Sequence, residues 1–146
     1  MEDRLPFIGE YELTLDDKNR LLIPSEIRSQ LDAKRDGEAF VLKMAASQQG
    51  RRLQLHPENA YKAFLARSQP EIDPTDPQRQ FLLRNYALAS RIAMDRQGRI
   101  LLPDKALRRT NMSREVVLLG AGDHLELWNR SDWEIEFDRL LSLPNE

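Results

Sequence analysis

The sequence predicts an α+β fold, mainly β, in which two tandem pseudo-symmetric repeats form one small β-barrel with outer helices. The first observation is a duplicated motif, LDDKNRLLIP at 15–24 and MDRQGRILLP at 94–103, whose matched residues lie 79 positions apart. The second is that apolar and polar residues alternate around each Asp-containing turn, with the period of half-buried strands. The third is size, because a unit of about 60 residues with exposed strand edges is marginally stable alone.

The first element of each repeat is a predicted β-hairpin. Its turn reads Asp-x-x-Asn in the first copy and Asp-x-x-Gly in the second. Asp16 and Asp95 suit the first position of a type I turn, and Asn19 and Gly98 suit the fourth, where φ is positive. These four residues are therefore predicted to shape two three-residue loops, each with a bulge.

The remaining elements follow in the same order in both repeats. Pro24 and Pro103 end a strand and can open a helix. A second hairpin is predicted at 40–44 with 53–56, and at 116–120 with 125–128. Closing helices are predicted at 57–67 and at 132–141, the second opened by a capping box from Ser131 to Glu134.

Three prolines within 68–77 indicate a linker between the repeats. A helix is predicted after it at about 78–89, with Asp76 as its N-cap and Pro77 as its first residue. The predicted organisation is therefore a first repeat at 5–67, a Pro-rich linker at 68–77 and a second repeat with its preceding helix at 78–142.

Composition narrows the classes of function. The chain has no cysteine, which excludes disulfides and thiol chemistry, and its apolar runs are too short to cross a bilayer. A net charge of −2 argues against a generic DNA coat, yet residues 79–114 carry nine Lys/Arg against two Asp/Glu, whereas 115–146 carry two against eight. This asymmetry indicates one surface suited to an anionic partner. The start of the chain lacks an apolar signal segment, so we expect a cytoplasmic protein that does not contact membranes.

No motif for catalysis, metal binding or cofactor binding stands in the sequence. GAGDH at 120–124 lies between two predicted strands and opens no helix, so it is a turn rather than a phosphate loop. His56 and His124 have no neighbouring ligand pair in sequence. We therefore expect no enzyme activity, no catalytic residues, no metal and no cofactor.

The repeated Asp-x-x-x-Arg motif is the remaining candidate for a functional site. On one interpretation the aspartate caps its own turn and the arginine starts the returning strand in solvent. No hairpin turn requires that arginine, however, and an arginine at the base of a tight loop offers a planar donor fork to phosphates or to guanine O6 and N7. Arg20 and Arg99 are therefore the candidate DNA contacts, with Lys18 and Arg96 beside them at the loop tips.

These motifs resemble those of the MraZ family of bacterial transcriptional regulators. The similar segments are GEYELTLDDKNRLLIP at 9–24, RQFLLRNY at 79–86, MDRQGRILLP at 94–103 and LELW at 125–128. Each repeat also resembles the SpoVT/AbrB swapped-hairpin DNA-binding domain, whose members carry a similar turn, Gly-Arg, apolar triplet and Pro. The resemblance covers roughly residues 5–141. Asn19 departs from it, because the first turn of the family carries Gly at that position.

The resemblance implies two SpoVT/AbrB-like repeats that pair within one chain. It also implies a ring homo-oligomer, associated with the nucleoid, that binds direct repeats in double-stranded promoter DNA upstream of the division and cell-wall gene cluster and represses or tunes transcription. Carried over by motif, Arg20 and Arg99 are the main DNA contacts. Arg28, Arg108 and Arg109, which follow the Pro in each repeat, are a weaker match.

Two other functions remain open from the sequence. A ring-forming scaffold that binds protein would use the hairpins as self-assembly edges and would not read DNA. An antitoxin-like regulator, as some SpoVT/AbrB-type domains are, is disfavoured by the double repeat and by the lack of a disordered toxin-binding tail.

Overall fold

The computed structural model describes residues 5–68 and 76–144, which form mixed helix and strand structure. None of the helices in these two ranges is long and apolar enough to span a membrane. The elements run β1 (Glu10–Thr14), β2 (Arg20–Leu22), α1 (Ser25–Arg28), α2 (Ala33–Asp36), β3 (Ala39–Ser47), β4 (Gly50–Pro57), α3 (Glu58–Arg67), α4 (Asp76–Leu82) with a π-helical turn (Leu83–Ala87), β5 (Ser90–Ala93), β6 (Arg99–Leu101), α5 (Asp104–Arg109), β7 (Glu115–Gly120), β8 (Leu125–Asn129) and α6 (Arg130–Leu141).

Six strands form one antiparallel sheet in the order β1-β7-β8-β4-β3-β5, and β2 pairs with β6 in a separate two-stranded ribbon. The second hairpin of each repeat lies where the sequence predicts it, as β3–β4 and β7–β8. The predicted small β-barrel is wrong, because the sheet does not close. Strands β1 and β5 are the two edges of an open sheet, because each pairs on one side only with a hairpin of the other repeat.

The predicted hairpins between β1 and β2 and between β5 and β6 do not continue as ladders. Each turn closes locally, but its two strands then diverge: β1 joins β7, and β2 joins β6. The physical reason is the edge strand of the partner hairpin. Without β1, the backbone of the apolar strand β7 would lack hydrogen-bond partners on one side, and β5 covers β3 in the same way. The repeats are thus held together by exchanged strands.

The core lies between the ribbon and one face of the sheet. Inward residues in and next to the ribbon, residues of α1 and α5, and leucines of the sheet are buried together. They are Leu21, Ile23, Ile27, Leu53, Leu55, Ile100, Leu102, Leu107, Leu118 and Leu127. On the opposite sheet face, Trp128 packs edge-on against Trp133 of α6. Tyr61 of α3 packs on His56 of β4 on that same face. The ribbon and the long helices α3 and α6 therefore cover opposite faces of the sheet.

One prediction about the helices is corrected, and one helix was not predicted. The capping box is wrong, because α6 begins at Arg130 with Asn129 as its N-cap and no side-chain capping bond. Asn129 instead accepts from the backbone N–H of Ser113 (2.6 Å) and donates to the carbonyl of Asn111 (2.8 Å). Helix α2 has no counterpart in the sequence predictions. Most of the predicted linker, 69–75, lies outside the described residues.

Candidate nucleic-acid interface

The first turn is organised by one carboxylate. Oδ1 of Asp16 accepts from the backbone N–H groups of Lys18 (2.9 Å) and Arg20 (2.8 Å), and Oδ2 accepts from Nε of Arg20 (2.7 Å). Asn19 completes the turn with φ of 64° and donates its N–H to the Asp16 carbonyl (3.1 Å). The carboxylate therefore shapes the loop and orients the guanidinium at the same time.

The second turn repeats this arrangement. Asp95 accepts from the backbone N–H groups of Gln97 and Arg99 (both 2.9 Å) and from Nε of Arg99 (3.0 Å), and Gly98 has φ of 85°. In both turns the carboxylate binds Nε alone. Nη1 and Nη2 of the two arginines donate no hydrogen bond to the described parts of the chain, so each guanidinium keeps its outer edge for another molecule.

Hydrogen bonds hold both carboxylates ionised. The backbone N–H of Arg20 contributes most to lowering the pKa of Asp16, to about 2, followed by the Arg20 side chain and the backbone N–H of Lys18. The pKa of Asp95 is lowered for the same reasons, with the backbone N–H of Arg99 first. Both carboxylates are thus ionised at neutral pH.

The ribbon places the two arginines on one surface. Arg20 is paired with Leu101 across the strands, and Leu22 is paired with Arg99. Because directly opposed residues of an antiparallel pair share a face, both arginines project on the side opposite the buried core residues Leu21 and Ile100. Their side chains are 29% and 30% exposed.

Each turn is flanked by the helix of the other repeat. Arg28 of α1 donates from Nε to the carbonyl of Ile23 (2.8 Å), and its side chain lies so close to Gly98 that a Cβ there would be 2.6 Å from its Cδ. Arg108 of α5, exposed and paired with Asp104, shares a shallow groove with Asn19. Arg28 therefore lies beside the second turn, and Arg108 lies beside the first.

The six predicted basic residues consequently fall into two groups, one at each end of the ribbon. Lys18 and Arg96 are exposed at the loop tips, and Arg109 follows Arg108 on the exposed side of α5. The first group is Lys18, Arg20 and Arg108, and the second is Arg96, Arg99 and Arg28.

Comparison with known proteins assigns the family. The family model described as "MraZ protein, putative antitoxin-like" matches this chain twice, at residues 7–85 and 86–146. The chain belongs to the MraZ family. Among its relatives, the "Transcriptional regulator MraZ" of Dictyoglomus thermophilum is 34% identical over 134 residues, which cover 91% of this chain and 85% of that protein.

Two further MraZ relatives carry the same name. The protein from Herpetosiphon aurantiacus is 32% identical over 133 residues, covering 90% of this chain and 87% of the relative. The protein from Clostridium tetani is 30% identical over 128 residues, covering 88% of this chain and 84% of the relative. The similarity therefore extends across both MraZ repeats and the ribbon between them.

One residue that supports the first turn of this MraZ chain is absent from the sequence predictions. Nη1 of Arg114, which precedes β7, donates to the backbone carbonyl of Asp16 and lies 3.5 Å from that of Leu15. It thereby ties the first turn to the second repeat. No signal in the sequence singles it out, because 98 residues separate it from Asp16.

The two histidines, His56 and His124, are in contact with each other at a position away from the ribbon. The rings of His56 and His124 stack with centroids 4.8 Å apart. Burial is the main cause that lowers the pKa of His56, to about 4, and the nearby His124 and Lys43 add to it. The hydrogen bond to Glu126 is the main cause that raises the pKa of His124. Within the described ranges, no group of three or more His, Asp or Glu is placed to hold a metal ion.

Proposed function

We propose that this MraZ protein is a sequence-specific DNA-binding transcriptional regulator that reads double-stranded DNA with the outward face of the β2–β6 ribbon. The main support for the proposal is the pair of arginines on that face. Each is held at Nε by an aspartate, and the outer edge of each makes no hydrogen bond to residues 5–68 or 76–144. We further propose that Arg20 and Arg99 donate to guanine O6 and N7, while Lys18, Arg28, Arg96 and Arg108 contact flanking phosphates.

The dimensions and chemistry of the ribbon support this function. The major groove of B-DNA, about 12 Å wide, admits a two-stranded β-ribbon. A bidentate arginine–guanine contact requires a guanidinium of fixed orientation, which the Asp–Arg hydrogen bonds supply. The names of the relatives agree with a regulatory role.

The proposed assembly is a ring homo-oligomer on direct repeats upstream of the division and cell-wall gene cluster, at the nucleoid. Residues 10–28 carry three basic against five acidic residues, so we expect the first turn of a single protomer to neutralise few phosphates and the protomer to bind weakly. Several ribbons that meet repeated boxes on one DNA molecule would gain about 10²–10⁴ in affinity through effective concentration. Repetition in the DNA would thus offset the modest charge of each protomer.

The test compares Arg20→Lys and Arg99→Lys with the unmodified protein. Each variant keeps its positive charge and loses the donor fork, so we expect specific binding to fall by about 5- to 150-fold per site while binding to scrambled DNA is unchanged. Fluorescence anisotropy with a labelled duplex containing the upstream repeats measures both. Arg67→Lys on α3, which lies on the other side of the sheet, is the matched control. If the variants retain full affinity for the repeats, the ribbon does not read the DNA.

The alternative function is a ring-forming scaffold that binds protein without reading DNA. The observation that favours it is the pair of open sheet edges, β1 and β5, together with exposed apolar residues on α6 such as Ile135 and Leu141. Light scattering with and without promoter DNA separates the two functions. Assembly that requires these edges, with no change on adding DNA and no footprint, would support the scaffold.

A further inference from the structure

Two leucines stand on the outward face of the ribbon, where solvent would favour polar residues. Leu22 is 52% exposed and Leu101 is 60% exposed, whereas their strand neighbours Leu21 and Ile100 are fully buried. The same position is therefore apolar and exposed in both repeats. On strand β1, by contrast, the exposed positions are occupied by polar residues.

The register of the ribbon places each leucine beside an arginine. Leu101 is directly opposite Arg20, and Leu22 is directly opposite Arg99. Opposed side chains in such a pair are about 5 Å apart at Cβ, and positions two apart on one strand are separated by about 6.8 Å. The latter spacing is close to two steps of about 3.4 Å along one DNA strand. The face thus carries two Arg–Leu pairs, spaced as two base-pair steps.

The fold does not require leucine at these positions. Neither side chain belongs to the core cluster, which contains the inward residues of the same strands. An exposed apolar side chain gains free energy only when a partner removes it from water. The duplicated placement therefore indicates a surface that becomes desolvated on binding.

We propose that Leu22 and Leu101 determine specificity by packing against the C5-methyl groups of thymines in the major groove, next to the guanines contacted by Arg99 and Arg20. This inference rests on the proposed function. Thymine alone among the four bases presents a methyl group in that groove. At cytosine, adenine or guanine, the same leucine would cover a polar edge and leave it without a hydrogen-bond partner.

Charge favours DNA over a protein as the occupant of this face. A protein surface that covered the leucines would also bury the two Asp–Arg pairs beside them. It would then have to supply acceptors for the outer edge of each guanidinium, because a buried charged donor left unsatisfied is strongly unfavourable. DNA supplies acceptors for both arginines, at guanine edges and phosphates, in the same surface that supplies the methyl groups.

The test replaces thymine with deoxyuridine, which removes the methyl group and preserves base pairing. The boxes are first located by footprinting, and binding of the full chain is measured by fluorescence anisotropy on thymine and deoxyuridine duplexes. We expect about a fourfold loss of affinity for each methyl group that the leucines bury. Leu22→Ala and Leu101→Ala should bind the thymine duplex more weakly and should no longer distinguish the two duplexes.

Three controls accompany the experiment. Deoxyuridine outside the boxes should have no effect, and Leu141→Ala, which removes an exposed leucine of α6, should retain full discrimination. Light scattering checks that each variant keeps the oligomeric state of the unmodified protein. Equal binding of both duplexes by the unmodified protein overturns the inference, as does a leucine variant that remains sensitive to deoxyuridine.

Failure of the inference is distinguishable from failure of the proposed function. If Arg20→Lys loses specific binding while deoxyuridine has no effect, the ribbon reads DNA but its leucines do not read thymine. If the unmodified protein shows no preference for the repeats over scrambled DNA, both proposals are overturned. If a leucine variant changes the oligomeric state and still distinguishes the thymine and deoxyuridine duplexes, the inference is overturned. In that case Leu22 and Leu101 contact a second copy of the chain instead.

Discussion

Asp16→Asn separates the two roles of the aspartate in the first turn. Asparagine keeps one carbonyl oxygen, so it can still accept from the backbone N–H groups of Lys18 and Arg20, and the loop should retain its shape. It replaces the second oxygen with an NH₂ group, which cannot accept from Nε of Arg20. The guanidinium of Arg20 therefore loses its fixed orientation while the backbone around it is preserved.

The expected loss of specific affinity follows from the conformational freedom that the Arg20 side chain regains. Immobilising a rotamer-rich side chain on binding costs about 0.5–1.5 kcal/mol, which corresponds to a roughly 2- to 12-fold loss of specific affinity per site. Removing a negative charge acts in the opposite direction and strengthens attraction to every phosphate. Asp16→Asn should thus bind scrambled DNA more tightly and the repeats more weakly.

Asp17→Asn is the matched control, because it makes the same change in charge at an exposed neighbouring position. It should strengthen binding to both kinds of DNA and leave their ratio unchanged. Anisotropy titrations of the two variants, each on the repeat duplex and on scrambled DNA, give the four affinities. If the two variants change the specificity ratio equally, the aspartate does not orient the arginine for readout.

Two further predictions concern stability and titration. Gly98→Ala should lower the free energy of unfolding by about 1–2 kcal/mol for the left-handed backbone alone, and by more because the new Cβ displaces Arg28. Gly122→Ala, measured by the same thermal unfolding, supplies the backbone cost without a clash, because φ is also positive there and a new Cβ meets no atom within 4 Å. In proton NMR titrations, the pKa of His56 should lie near 4, and the pKa of His124 should lie above the ordinary value for histidine. Stabilisation by His124 is complete below the unfolded pKa and is lost as pH rises through the higher folded value. The contribution of His56 to the free energy of unfolding has the opposite sign, because stability falls as pH drops from the unfolded pKa of His56 towards 4. If both histidines titrated together at the ordinary histidine pKa, both titration predictions would be wrong.

The sequence was sufficient for local structure and insufficient for pairing between repeats. Residue type accounts for the positive φ at Asn19 and Gly98, and apolar stretches that recur in both repeats located the β3–β4 and β7–β8 hairpins. The hydrogen bonds of the two Asp turns are compatible both with a continuing hairpin and with strands that diverge. The continuing hairpin and the diverging strands differ in whether the edges of β7 and β3 gain a hydrogen-bonded partner strand. That difference depends on the whole sheet.

The candidate site was likewise predictable in its local features but not in the contacts made between the repeats. The arginines were identified because no turn requires them, but their common face follows from the β2–β6 register, which pairs residues about 80 positions apart. That register also sets the leucines beside the arginines. The contacts of Arg28 with Gly98 and of Arg114 with Asp16 arise between repeats, so neither could be found from local patterns.

The two halves of the ribbon are related by pseudo-symmetry but differ in detail, and this bears on the DNA they would bind. The first loop tip carries Asp17 and Lys18, which cancel in charge, whereas the second carries Arg96 and Gln97. A symmetric ribbon would read an inverted repeat within each box. An asymmetric one has a direction, so identical protomers arranged head to tail in a ring would require boxes that all run the same way. On the proposed function, making the first tip identical to the second with Asp17→Arg and Lys18→Gln should weaken the preference for one orientation of a single box. Anisotropy on duplexes with that box reversed relative to its neighbour measures this preference. An unchanged orientation preference in that variant would place the directionality elsewhere than in the loop tips.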